Sequence, residues 1–380
     1  MIYLDNAATT YPKPPQVIRA VDEAMRRYGA NPGRAGHKMS METAEELYRC
    51  RTEVAEFFHA PGPECVAFTL NCTLAINLVL KGVLKPGDHV VTSNLEHNAV
   101  MRPLRALQEK GVTYTEAQVV PGDNDATVDA FRKALRANTK LIVCTHVSNV
   151  WGIRLPIERL AALGHEYGIP IAIDCAQSAG VLPINMEECR FDYLCIASHK
   201  GLYAPMGTGI LVTPHGASLA TLIEGGTGTA SISLDQPETM PDRLESGTVN
   251  VPGIAGIRAG IRFVKSKGIE RIYRHELGLV QALYRSLSQM EAIQLYTPEP
   301  VEPYFAPVLS FNVKDVSSET VAQKLNTAGI AVRAGLHCAP RAHESFGTLE
   351  QGAVRVCPSA FNNMNEIRVF SNTIMKVHRK

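Results

Sequence analysis

Between residues 64 and 213, short apolar runs alternate with stretches of helical spacing. No other feature of the sequence restricts its fold as tightly. Residues 65–69, 89–93, 140–146, 169–174, 193–197 and 209–213 read as strands. Residues 74–84, 100–110 and 157–167 read as helices between them. Such alternation predicts βαβ units and an α/β fold with a mainly parallel sheet. Ligands of these sheets bind at the carboxyl ends of the strands. Polar residues stand at those ends here: Asn71, Asn94, His97, Asn149, Asp174, Gln177 and His199.

The flanks have a different texture. Helices are expected over 16–27 and 40–58. Beyond residue 255 the pattern gives a long helix, 257–289, and a Pro-rich connection, 297–307. A strand at 308–313, a helix at 319–328, a strand at 330–333 and a polar loop at 335–347 follow. Two more elements lie at 353–357 and 364–378. This predicts a smaller α+β domain, made of 256–380 together with 1–14. The large domain then spans 15–255, with a hinge at 253–256.

Charge excludes some functions. Lys plus Arg is 38 and Asp plus Glu is 37. No global field draws the chain to nucleic acid or to an anionic membrane. Residues 65–84 are apolar, but Thr69, Asn71, Thr73, Asn77 and Lys81 interrupt them, so they do not form a span. The opening residues carry Asp5 and Asn6 where a signal peptide needs an apolar run. The nine cysteines form no C-x-x-C pair. Neither a metal site nor a disulfide framework is therefore expected, and the thiols suit a cytoplasmic protein.

The chemistry begins at Lys200, in Ala-Ser-His-Lys-Gly after an apolar strand. A lysine that loses solvent has a lowered pKa and can form a Schiff base. Asp174 ends another apolar run. It reads equally as a cap or as the carboxylate that pyridoxal phosphate needs against its ring nitrogen. Gln177 and Asn149 would reach the ring hydroxyl or a substrate carboxylate. The segment 69–73 joins a strand to a helix. It reads as a plain N-cap or as a phosphate site built from backbone N–H groups and a Thr hydroxyl. His97, at another strand end, would stack on a ring and move protons. Cys338 differs from the other cysteines. It lies in a polar segment with Arg333, His337 and Arg341 near, and positive neighbours favour the thiolate.

These residues fall in a series of blocks. They run from Tyr3-Leu4-Asp5-Asn6-Ala7-Ala8 through Glu96-His97-Asn98, His146-Val147-Ser148-Asn149, Asp174-Cys175-Ala176-Gln177 and Ser198-His199-Lys200-Gly201. Glu245 to Asn250, Arg333 to Pro340 and Arg355 to Asn362 complete the series. In this order the chain resembles the cysteine desulfurase and selenocysteine lyase family of class-V aminotransferase-fold enzymes.

The resemblance implies a fold-type I transferase with a seven-stranded sheet, and pyridoxal 5'-phosphate as cofactor. It implies that Lys200 binds the cofactor covalently, Asp174 pairs with its ring nitrogen, Gln177 meets the ring hydroxyl and His97 stacks on the ring. Cys72, Thr73, Ser198 and His199 would hold the phosphate, with Asn149 beside the ring or the substrate. Thr248 would complete the phosphate site of a second subunit in a homodimer. Arg355 would grip the carboxylate of a small amino acid in a bidentate fork, with Asn149 in support. Lys200 and His97 would move protons, and Cys338 would take the sulfur as a persulfide and pass it to an acceptor protein. Two positions depart from the family pattern: Ala197 replaces a hydroxyl residue, and Cys72 replaces a Thr. The implied reaction turns L-cysteine into L-alanine. The alternatives are release of selenium from L-selenocysteine, transamination, or another β-elimination.

Overall fold

The structure, a computed structural model, describes residues 1–33 and 36–378. Its strands are β1 (Ile2–Tyr3), β2 (Val66–Thr69), β3 (His89–Ser93), β4 (Thr113–Ala117), β5 (Thr139–Thr145), β6 (Ile171–Asp174), β7 (Tyr193–Ala197), β8 (Gly209–Val212), β9 (Ile293–Leu295), β10 (Leu309–Val313), β11 (Ile330–Ala331) and β12 (Val354–Val356). A 7-stranded sheet in the order β2-β8-β7-β6-β5-β3-β4 forms the centre. β3 to β7 pair in parallel, and β8 runs antiparallel to both β7 and β2.

The apolar runs cover both faces of this sheet. Along β7, Leu194 and Ile196 enter one core, and Tyr193, Cys195 and Ala197 enter the other. β5 does the same, with Ile142 and Cys144 on one side and Leu141 and Val143 on the opposite side. Helices must therefore close both faces, as parallel sheets require. The helix Cys72–Val83 packs its apolar face onto the second core. Asn71 starts it, its side chain accepting the Leu74 N–H at 2.9 Å. Register then brings the site together. Thr145 lies beside Asp174, Asp174 beside Cys195, and Ala197 beside Gly209. The ends of β2, β3, β5, β6 and β7 thus open on one edge. Gly209 lets β8 pass there, since a Cβ at that position would meet the Asn71 carbonyl carbon at 2.4 Å.

The chain ends form a second assembly. β9, β10 and β12 make a 3-stranded antiparallel sheet, and β1 pairs in parallel with β11. Leu4 joins the core that Leu283, Phe311, Val356 and Phe370 build. Asp5 bridges to Cys357, so the first residues reach the cavity edge from this side.

Two expectations require correction. The single helix over 257–289 is two helices, Val251–Lys267 and Ile269–Ser288, separated by Gly268 at φ 81°. That backbone region favours glycine and ends the first helix. The polar loop over 335–347 contains a short helix, Pro340–Ser345. The glycines of the expected hinge lie inside the helix Val251–Lys267. Its Gly260 sits so close to the large sheet's connections that a Cβ would meet the Leu202 carbonyl oxygen at 1.9 Å. The spacing of small residues thus serves close packing there. No described helix is long and apolar enough to cross a membrane.

Candidate active site

A cavity of about 230 Å³ lies at the carboxyl edge of the large sheet. Lys200, Asp174, Gln177, His97, Cys72, Thr73, Asn149, His199 and Arg355 all line it. These residues come from the ends of β2, β3, β5, β6 and β7, and Arg355 comes from β12. The sheet and the smaller assembly meet at this cavity.

Each group is held in a definite way. Asp174 Oδ1 accepts the Ala176 N–H at 2.9 Å and the Cys72 thiol at 3.4 Å. Among the described residues no hydrogen bond is made to Oδ2, which leaves that oxygen for a ligand. Burial lowers the Lys200 pKa and favours the neutral amine, although Asp174 opposes the shift. His97 caps the helix Asn98–Gln108, its Nδ1 accepting the Ala99 N–H at 3.0 Å. The ring proton therefore sits on Nε2. Burial holds His97 down to about 4, so the ring is neutral near pH 7. His199 is likewise lowered to about 4 by burial. Its carbonyl oxygen is anchored from the N-terminal segment by Lys13 Nζ at 2.7 Å and by the Thr10 hydroxyl at 3.1 Å. Gln177 Nε2 donates to the Ala7 carbonyl at 3.0 Å, which ties the same segment over the cavity.

Arg355 is 1% exposed. Its Nη1 donates to the Asn149 carbonyl at 2.9 Å and its Nη2 to Asp5 Oδ1 at 2.9 Å, while Nε has no partner among the described residues. A guanidinium this buried loses hydration, and its pKa falls for that reason even with Asp5 opposing. Unfilled donors on a buried cation make a carboxylate receptor. The Asn149 amide is not free on its nitrogen side, because Nδ2 donates to the His337 carbonyl at 2.8 Å.

Cys338 is exposed at the rim, next to Arg333 and His337, which line the cavity. Its Sγ lies 3.9 Å from Arg333 Nη2, and its carbonyl accepts the Asn98 N–H at 2.7 Å. The neighbour of His97 in the chain thus holds the Cys338 backbone. The other cysteines are buried, apart from half-buried Cys189. Burial pushes the thiols of Cys72, Cys144, Cys175 and Cys195 far above their ordinary value. Those thiols are inert by the same argument that makes Cys338 accessible.

Two expected residues stand apart from the rest. Ser198 is buried beside the cavity, with an Oγ that has no partner among the described residues, and it does not line the cavity. Thr248 lies elsewhere, in a second pocket with Leu70 and Ile223, and takes a 3.3 Å hydrogen bond from Asn31. Glu245 anchors this segment. It pairs with Arg51 at 2.7 and 2.9 Å and accepts the Phe68 N–H at 2.6 Å, with 9% and 7% of the two ion-pair side chains exposed. Two residues of the site had no role assigned from sequence. Asp5 pairs with Arg355 inside the assembly that the two chain ends form. Glu96, the residue before His97, is buried, and its Oε1 accepts the Thr145 N–H at 2.9 Å and the Ser93 hydroxyl. Both stood inside the quoted motif blocks, which was their only sequence signal.

The residues present fit pyridoxal phosphate. The half-buried Lys200 shares the cavity with a carboxylate that keeps one oxygen open, and a half-buried imidazole caps a helix there. Among the described residues Ser198 Oγ and His199 Nδ1 have no partner, and His199 lines the cavity together with the helix start at Cys72. The chain belongs to the class-V aminotransferase family, whose profile matches residues 2–370. Pyridoxal 5'-phosphate is its cofactor. Within that class it is similar to proteins named cysteine desulfurase. One, a probable cysteine desulfurase of Methanothermobacter thermautotrophicus, is 34% identical over 99% of this chain and 94% of its own length. Another, from Pyrococcus abyssi, is 33% identical over 97% of this chain and 92% of its own length. Among solved structures, the apo cysteine desulfurase of Thermococcus onnurineus NA1 superposes with a TM-score of 0.92 at 31% identity. It covers 99% of this chain and 94% of that one.

Proposed function

We propose that the chain is a cysteine desulfurase that converts L-cysteine to L-alanine and takes the sulfur onto Cys338 as a persulfide. The observation that carries this reading is an exposed thiol beside Arg333, at the rim of a cavity that holds Lys200, Asp174 and Arg355. The relatives' names support it.

Lys200, Asp174, Gln177, His97, Cys72, Thr73, Ser198 and His199 would hold the cofactor, with Asn149 beside it. The cofactor supplies an electron sink for the substrate α-carbon. The chain's own residues do the rest. Arg355 receives the substrate carboxylate on its unfilled N–H groups, with the Asn149 backbone keeping the guanidinium in place. Lys200, whose amine burial shifts toward the neutral form, takes the α-proton. Cys338 Sγ attacks the substrate sulfur, so that an S–S bond forms as the Cβ–S bond breaks. The electron pair of that bond stays with Cβ, which gains a proton, and Lys200 and His97 Nε2 are the groups in reach to deliver it. Cysteine plus one thiol thus becomes alanine plus one persulfide, with atoms balanced.

The same proposal includes a homodimer. Thr248 sits outside its own chain's cavity, beside exposed Leu70 and Ile223, where a second copy would bring it to the partner site. It also includes a sulfur-acceptor protein, which the exposure of Cys338 would admit. The division into a large unit, 15–255, and a small unit, 1–14 with 256–380, belongs to it as well. The separate core that Leu4 shares with residues 279–374 supports that division. Comparing turnover of L-cysteine and L-selenocysteine on one preparation tests the reading. Alanine with a Cys338 persulfide from cysteine is the expected result. Keto acid or pyruvate as the product would overturn it.

A further inference from the structure

Cys338 and His337 both hold positive φ, 57° and 52°. For residues other than glycine each such conformation costs free energy and persists only when the surroundings impose it. Backbone anchors account for part of this. Asn149 Nδ2 donates to the His337 carbonyl at 2.8 Å, and the Asn98 N–H donates to the Cys338 carbonyl at 2.7 Å. The His337 side chain begins a second set of contacts, a buried chain that leads away from the cavity. His337 Nε2 lies 3.4 Å from the Arg333 carbonyl, and His337 Nδ1 lies 3.4 Å from His343 Nε2. His343 Nδ1 lies 2.8 Å from the Thr348 hydroxyl.

Chemistry fixes the direction of this chain. A carbonyl only accepts, so the His337 proton is on Nε2. His337 Nδ1 is then bare and accepts from His343 Nε2–H, and His343 Nδ1 accepts from the Thr348 hydroxyl. That hydroxyl also lies 3.3 Å from the His343 carbonyl, the longer of its two contacts. In this arrangement His337 must be neutral, because a second proton on its Nδ1 would face the His343 Nε2–H donor. Burial ensures this, lowering His337 to about 2 and His343 to about 4. The rings stack at 11°, and Trp151 closes the far side, with its ring 5.4 Å from His343 and its Nε1–H on the Ala342 carbonyl at 3.0 Å.

We propose that His343 is a positioning residue, which acts through His337 to hold Cys338 in the backbone conformation that presents its thiol to the substrate sulfur. The proposal rests on the reading of Cys338 as the sulfur acceptor. His343 touches no reacting atom. It keeps the bare Nδ1 of His337 paired, and with that pair lost the loop relaxes from its strained shape.

The test uses the holoenzyme and two readouts, alkylation of Cys338 by iodoacetamide and steady-state turnover. His343→Phe keeps a ring against Trp151 and removes both hydrogen bonds. His343→Gln retains a donor and an acceptor. The Phe variant is expected to lose about tenfold in kcat, the factor equal to ~1.4 kcal/mol and to one buried hydrogen bond. Its KM and its visible cofactor band stay as in the wild type, and its thiol is alkylated faster as the loop loosens. The Gln variant recovers most of both readouts. If the Phe variant fails to fold, Thr348→Val removes the last donor of the chain and is expected to shift both readouts the same way. A Phe variant with wild-type alkylation and kcat, or a Gln variant as impaired as Phe, overturns the proposal. Failure of the parent reading shows separately. Cys338→Ala would then turn over cysteine normally, while the alkylation comparison still decides whether His343 holds the loop.

Discussion

Replacing Arg355 by lysine keeps the charge and removes the fork. A guanidinium has five N–H donors. Two are engaged, on the Asn149 carbonyl and on Asp5 Oδ1, each at 2.9 Å, so three are left for a substrate. An ammonium has only three donors. Holding the same two acceptors leaves it one, and a bidentate grip on a carboxylate becomes a single hydrogen bond. A hydrogen bond to a charged group contributes about 1.5–3 kcal/mol. Arg355→Lys should therefore lower kcat/KM for cysteine by roughly 10- to 150-fold, since each 1.4 kcal/mol is a factor of ten. The loss should appear mainly in KM, because the carboxylate does not change charge during the reaction. Alanine release measured against cysteine concentration reports both constants, and the visible cofactor band checks that the site is loaded. A Lys variant with unchanged KM would refute the assignment of Arg355 as the carboxylate receptor.

Glu245→Ala leaves Arg51 charged and nearly dry and unpairs the Phe68 N–H. Removing one partner of such a buried pair costs about 3–5 kcal/mol, so the denaturation midpoint should fall clearly. Adding Arg51→Met should restore part of the loss, and a double variant no better than Glu245→Ala would contradict this account of the pair. Glu96 shows a pH signature. Burial raises its pKa from 4.5 to about 8. Between those values the unfolded chain has lost a proton that the folded chain keeps, so this group makes stability fall as pH rises through that window. Glu96→Gln should flatten the decline seen in thermal midpoints across it. Glu276, also raised to about 8 by burial, should keep a residual slope. An unchanged slope in the variant would remove Glu96 as its source.

The large sheet was legible because both its faces are buried. A strand such as β7, buried at every residue, leaves a run of apolar letters that nothing dilutes. β4 left no such trace: it is the edge strand, only Ala117 in it is buried, and its letters Thr-Tyr-Thr-Glu read as a connection. The strand-end residues of the cavity were legible for a topological reason, since parallel strands deliver their last residues to one edge. The pairing of Arg355 with Asp5 was not, because the two stand 350 positions apart and only the docking of the chain ends joins them. Nor could the sequence show that Asn149 ties down the Cys338 loop, or that His337 and Cys338 hold positive φ. Those are properties of a backbone path fixed by tertiary anchors. The split at Gly268 lies between. Gly was there to be read, yet apolar spacing continues across it and masks the break.

The central claim is that Cys338, alone among nine cysteines, carries the sulfur. One measurement tests it most directly: the masses of the cysteine-containing peptides after a single turnover of the holoenzyme with L-cysteine, without reductant. The account predicts a gain of one sulfur atom on the Cys338 peptide, stoichiometric with alanine, and no gain on any other. Alanine formed with no added sulfur at Cys338, or with the sulfur on a different cysteine, would contradict it.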